Sequence, residues 1–308
     1  MKPFQLFTRH LSRHLSIVIA LTLILTTVPI ALGRQSPASR LQKSCLWSLH
    51  TPRNTLYLLG SLHLLNRDAY PLATAIENAY ADSQQVIFET DIAATNDPDI
   101  QAKMLALGLY PEGETLYQNL DGNTRRKLDK KLSELGLPSQ NFARFKPWFV
   151  ALTLTILEFQ RLGYNPNYGI DVYFFNKAKD DGKETGFLEP PDYQVDLLGN
   201  MDTHDQQSFL GQTLTDLDLV ADLAGNMVRY WETGDTDNLH ALLFQSLKDY
   251  PTIHERLLLQ RNRKWVATVE KSMRRDKNVL FIVGVGHLVG PGSVVELLQQ
   301  KGHRVLQK

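Results

Sequence analysis

The strongest constraint on how this chain folds is a device it uses twice, once near each end. Val279-Leu-Phe-Ile-Val-Gly-Val-Gly-His287 runs five apolar, mostly β-branched or aromatic residues into a glycine, and a histidine follows three positions after Gly284. That is the pattern of a fully buried strand. The chain then turns through Gly290-Pro-Gly292 and resumes a helical pattern from Ser293. Thr55-Leu-Tyr-Leu-Leu-Gly60-Ser-Leu-His63 repeats the arrangement, with the histidine again three positions after the glycine. Each histidine falls just past the carboxyl end of a core strand, the edge at which an α/β sheet forms its ligand sites. A sheet containing both strands brings His63 and His287 together.

The intervening sequence alternates strand and helix. Residues 45–49 and 55–59 flank a Thr51-Pro-Arg-Asn54 turn and predict a hairpin. Residues 71–83 carry apolar positions at helical spacing and lead into the strand Gln85-Val-Ile-Phe-Glu89, a right-handed βαβ unit if the strands are parallel. Glu89 then lies at the same edge as His63. Asp97-Pro98 and Asp121 read as helix starts, and Pro147 opens a long apolar helix expected to cover the sheet. Asp171 reads as the cap of a helix ending near residue 181. A short strand follows, delivering Glu189, and Gln194 lies about a helical turn later, able to face the same side. Residues 203–275 are helical, with Arg261-Asn262 ahead of an amphipathic stretch containing Trp265, Val269 and Met273. His204, His240 and His254 occur singly and read as surface or cap residues. The fold class is therefore mixed α/β: a central, mostly parallel mixed sheet covered by helices, with largely helical insertions at about 97–163 and 203–275.

Residues 1–38 read as a separate segment. Lys2, Arg9 and Arg13 precede an apolar run at residues 15–32, and Ala31-Leu-Gly33 offers the small residues of a cleavage site. This is a signal peptide, or a signal anchor if it is retained, and predicts an exported, periplasmic protein whose only membrane contact is that segment. The α/β domain occupies 39–308. The formal charge balance of zero over the full chain gives no electrostatic reason to expect nucleic acid as a partner. A single cysteine, Cys45, rules out an intramolecular disulfide framework.

Two histidines and a glutamate at one sheet edge are an inventory for a divalent transition ion: imidazole and carboxylate suit it, and three protein ligands leave coordination positions open. His63, His287 and Glu89 are the candidate ligands, with Glu89 either third ligand or general base. Such an ion supports hydrolysis. Gly60, Ser61, Glu189, Gln194, Arg261 and Gly284 are candidate supporting residues; Arg261 would hold the glutamates' charges if buried. A nucleophilic role for Ser61 lacks the surrounding elbow motif.

Tyr57-Leu-Leu-Gly-Ser-Leu-His63, Val86-Ile-Phe-Glu89, Gly169-Ile-Asp171, Leu188-Glu189 with Gln194, Arg261-Asn262, and Val283-Gly-Val-Gly-His287-Leu-Val-Gly290 with Gly302-His-Arg-Val together resemble the TraB/PrgY/GumN family over roughly residues 45–308. That family is related to the Tiki metalloproteases and, more remotely, to haem-binding ChaN and erythromycin-esterase proteins. The resemblance implies a mixed α/β fold with both histidines and Glu89 in one site, and a manganese- or cobalt-type metal-dependent peptidase activity; zinc also suits the ligands. Gly60-Ser61 stands where the family commonly has Gly-Thr, and Gln260 where a glutamate often precedes Arg-Asn. Two functions follow: an exported hydrolase acting on a peptide or small molecule, or a non-catalytic protein that sequesters a peptide, metal or haem.

Overall fold

The computed structural model describes residues 43–244 and 250–308, so the segment read as an export signal lies outside the described residues. The predicted hairpin is present. β1 (Leu46–His50) pairs antiparallel with β2 (Thr55–Ser61), and Cys45 is buried at its start. Next come α1 (Thr74–Asp82), β3 (Gln85–Phe88), α2 (Pro98–Gly108), α3 (Gly122–Glu134), α4 (Pro147–Arg161), α5 (Ile170–Asp180) and β4 (Glu184–Phe187). A helical run follows: α6 (Tyr193–Gly199), α7 (Thr203–Leu217), α8 (Val220–Glu232), α9 (Thr236–Phe244) and α10 (Pro251–His254). A π-helical stretch, Glu255–Leu259, leads directly into α11 (Gln260–Ser272), then β5 (Val279–Gly284), α12 (Val294–Gln300) and β6 (Val305–Gln307).

The six strands form one mixed sheet in the order β4-β3-β5-β2-β1-β6. β4, β3, β5 and β2 are mutually parallel; on one flank β1 pairs antiparallel with β2, and β6 pairs antiparallel with β1. β2 and β3 are parallel as the βαβ reading requires, but β5 lies between them, pairing Leu59 with Ile282 on one side and Phe88 with Ile282 on the other. The arrangement follows from burial. Residues of β5 from Val279 to Val283 are all buried, and a strand apolar on both faces belongs at the centre of a sheet.

Helix boundaries follow local chemistry. Asp97 accepts a hydrogen bond from Asp99 N with Pro98 in the first helical turn, and Asp121 accepts from Asn123 N and Thr124 N. The described residues form two apolar clusters. One surrounds the sheet; the other gathers α2, α3, α4 and α7 around Phe149, Leu154, Leu210 and Leu214. The long apolar helix α4 belongs to the second cluster and packs against α7 instead of covering the sheet. Its apolar faces are satisfied by other helices, which periodicity alone does not distinguish from a sheet surface.

Candidate active site at the carboxyl edge of the sheet

All four parallel strands release a polar residue at the same edge. β2 leads to His63, β3 to Glu89, β4 to Glu189, and β5 to Gly284 and His287. The two strand-end glycines allow the strands to close on one another. A methyl group on Gly60 would lie 2.6 Å from Val285 Cγ2. One on Gly284 would lie 3.2 Å from Glu89 Oε1, 3.4 Å from His63 Nε2 and 3.7 Å from His287 Cδ2. The three predicted ligands therefore converge over the Cα of Gly284.

Each imidazole is held through its Nδ1. His63 Nδ1 lies 2.8 Å from Asp171 Oδ2, and His287 Nδ1 lies 2.6 Å from Asn262 Oδ1. Asn262 in turn donates to Gly292 O at 2.9 Å, which ties the loop after β5 to α11. An amide oxygen can only accept, so His287 carries its proton on Nδ1 and presents the Nε2 lone pair to the site. The ring also stacks at 4.3 Å, centroid to centroid, on Trp265. Anchoring an imidazole at one nitrogen to orient the other is how metal-ligating histidines are held.

Arg261 is the centre of the charge arrangement. It is buried, and its guanidinium donates to Glu89 Oε2 at 2.6 Å, to Glu189 Oε1 at 2.8 Å and Oε2 at 2.9 Å, to Leu257 O at 3.0 Å and to His287 Nε2 at 3.0 Å. Glu189 Oε1 also accepts from Trp265 Nε1 at 3.0 Å. The second carboxylate oxygen of Glu89 accepts Gly284 N at 2.6 Å, and Gln194 Nε2 donates to Oε2 at 3.1 Å. Gln194 thus faces Glu89, not Glu189. Burial opposes ionisation of Glu89, but the neighbouring Arg261, then His287, His63 and the Gly284 N–H, hold its pKa down at about 2.

The histidines are displaced in opposite directions. Burial alone would lower His63, but Asp171 and Glu89 raise it to about 9, with 40% of the side chain still open to solvent. His287 is pushed down to about 3 by burial, with Arg261 and His63 adding to the effect against the attraction of Glu89. Glu89 and Glu189 face the one guanidinium, and a third carboxylate, Asp171, faces His63. With His63 protonated near neutrality, as its raised pKa requires, these groups sum to a formal charge of about −1, and to about −2 once that proton leaves. A site of N and O donors that reaches two uncompensated negative charges when His63 gives up its proton fits a divalent cation. As the side chains stand, however, the donors are spread: among the described residues only Asp202, His204 and Asp205, an exposed group at the start of α7, bring three ligand atoms within 4.8 Å of one another. The Arg261 bond to His287 Nε2 occupies the lone pair an ion would use, so binding at His287 exchanges that bond.

The structure brings His63, Glu89, Glu189, Gln194, Arg261, Gly284 and His287 together at one edge. Asp171 was read as a helix cap; it is the second residue of α5, makes no cap, and is buried against His63. An acid in a first helical turn is ordinary, so nothing local marked it. Asn262 was noted only beside Arg261, yet it orients His287. For Asn262 the signal was available: an arginine and an asparagine on the same face as Trp265, Val266 and Val269 are polar residues at core positions of an amphipathic helix. Ser61 Oγ is buried and bonds to no histidine, which agrees with its reading as a small residue in a tight bend.

The chain is 24% identical over 245 residues to an uncharacterized protein, YbaP, of Escherichia coli, covering 79% of this chain and 87% of that one. It is 24% identical to the metalloprotease TIKI2 of Danio rerio, covering 85% of this chain but 60% of that protein. It is 21% identical to the metalloprotease TIKI1 of Xenopus tropicalis, covering 93% of this chain and 67% of that one. No solved structure matches. The family model described as TraB/PrgY/gumN matches residues 45–307, nearly the whole α/β domain, and the chain belongs to that family.

Proposed function

We propose that this chain is an exported, metal-dependent hydrolase of peptide bonds, with His63, Glu89 and His287 holding a divalent ion of the manganese or cobalt type. The convergence of these three side chains over Gly284 carries the reading, and similarity to proteins named metalloproteases gives it its reaction class. An ion held there would polarise a substrate carbonyl and acidify water.

The chain's own residues have separable tasks. Asp171 and Asn262 fix the ring orientations of His63 and His287. Arg261 and the Gly284 N–H keep Glu89 ionised, and a carboxylate with so low a pKa is a poor proton acceptor near neutrality. This favours Glu89 as an ionic ligand over Glu89 as general base. Glu189 is saturated by Arg261 and Trp265 and acts by positioning the arginine.

Metal content and divalent-ion affinity of the protein lacking residues 1–38, beside His63→Ala, His287→Ala and Glu89→Gln, test the proposal. About one ion per chain, lost in both histidine variants, with manganese- or cobalt-stimulated peptide cleavage, is the expected result. Absence of ion binding by the parent overturns it. Binding without cleavage of any peptide replaces the hydrolase by a sequestering protein.

A further inference from the structure

Two cavities meet at Ser61, His63, Glu89 and Gln194. The larger, ≈ 430 Å³, runs past Arg261 and the Gly284–His287 turn and contains the proposed metal site. The smaller, ≈ 180 Å³, runs away from Arg261 into the helices, where Met104 of α2, Trp148 and Leu152 of α4, and Val195 and Leu198 of α6 line it. It therefore lies between the sheet and the separate helical cluster, at the kind of seam where ligand pockets form.

Its two ends differ in chemistry. The inner wall is aliphatic and aromatic. Ser61 Oγ, Thr90 Oγ1 and Asp171 Oδ1 are buried with no hydrogen-bond partner among the described residues, and all three residues line this cavity, Ser61 at the end shared with the site. Buried polar atoms without partners are rare, and three around one small cavity mark a place where a ligand's polar atoms can be received. The volume is below that of a pocket for a drug-sized molecule and suits one side chain.

Resting on the peptidase reading above, we propose that this cavity is the specificity pocket: it accepts a leucine- or methionine-sized side chain of the residue adjoining the bond to be cleaved. The polar end then meets that residue's backbone. Acidic side chains are rejected by Glu89 and Asp171 at the entrance, and basic ones because the inner wall offers no partner for their charge.

Two measurements on the protein lacking residues 1–38 test this. In the first, N-acetyl-leucinamide, N-acetyl-alaninamide and N-acetyl-glutamine are titrated into the protein without catalysis, followed by NMR shifts. In the second, manganese- or cobalt-supplemented cleavage is read on peptides varied one position at a time. Leucine is expected to exceed alanine by at least roughly tenfold in both, the scale of methylene discrimination in an apolar pocket. Leu152→Trp, which fills the cavity from a half-buried position, is expected to erase that preference with metal content and melting temperature unchanged. Leu152→Ala is expected to shift preference toward larger side chains. Equal binding of the leucine and alanine amides, or an unaltered preference in a folded Leu152→Trp protein, overturns the pocket. Cleavage without side-chain preference leaves the peptidase reading standing and removes the pocket. Selective binding of the leucine amide with no cleavage of any peptide keeps the pocket and removes the peptidase.

Discussion

Arg261 Nη2 lies 2.6 Å from Glu89 Oε2, joining two residues 172 positions apart, both almost inaccessible to solvent. The same guanidinium clasps Glu189. Removing it strands two buried carboxylates. Arg261→Ala is expected to destabilise the protein by about 3–5 kcal/mol, the usual cost of breaking a buried pair from one side. Arg261→Lys should recover only part of this, because an ammonium cannot reproduce the planar fork. Urea unfolding measures both, and an alanine variant as stable as the parent would show that water replaces the guanidinium at no cost.

The opposite displacement of the two histidines fixes how stability of the metal-free protein varies with pH. His63 keeps its proton to about 9 in the native state but loses it near 6.5 when unfolded, so its contribution is complete below 6.5 and is lost as pH rises toward 9. His287 refuses a proton down to about 3, so its contribution is complete above 6.5 and is lost as pH falls toward 3. Glu89, depressed from 4.5 to about 2, steepens the acid side below 4.5. Urea midpoints in the presence of a chelator should therefore peak near neutrality. A midpoint that climbs steadily from pH 6.5 to 9 would contradict the environment assigned to His63.

Metal loading should release a proton. At pH 7.5 His63 is mostly protonated because Asp171 supports its charge, and an ion can take Nε2 only from the neutral ring with its remaining proton on Nδ1. About one proton per ion is expected, measured by titration calorimetry in buffers of different ionisation enthalpy. In Asp171→Asn the release should fall well below one. Identical release from parent and variant would mean that His63 is not where the ion binds.

Gly284→Ala places a methyl group against Glu89, His63 and His287 together. The backbone at Gly284 has φ −50°, which any residue adopts, so the substitution carries no backbone strain. Divalent-ion affinity is expected to fall roughly 10–100-fold, as when the surroundings of a ligand are disturbed. The melting temperature should shift by no more than about 2–4 °C. Unchanged affinity would place the ion elsewhere.

The sheet edge was legible because a strand announces itself within a few residues. Apolar runs ending in Gly60 and Gly284 placed their histidines, and Val86-Ile-Phe placed Glu89. Residues that act from helices were harder to read. Asp171 looks like any acid in a first turn until α5 is seen to aim it at His63, and Asn262 matters only through the loop that ends at Gly292. The strand order was equally hidden. Local pattern tells that β5 is buried on both faces, but not that it divides β2 from β3. The destination of α4 depended on a second apolar cluster whose partners lie more than fifty residues downstream in α7.

The central place of β5 sets the order in which this molecule can be completed. Until residues 279–284 are available, β1 and β2 on one side and β3 and β4 on the other have no strand to join them, and each half keeps an open, apolar edge. The closing strand is also the one that brings Gly284 and His287. A chain made from its N-terminus therefore carries no assembled site while it is being synthesised, and a product that stops short of β5 lacks both the sheet and the chemistry.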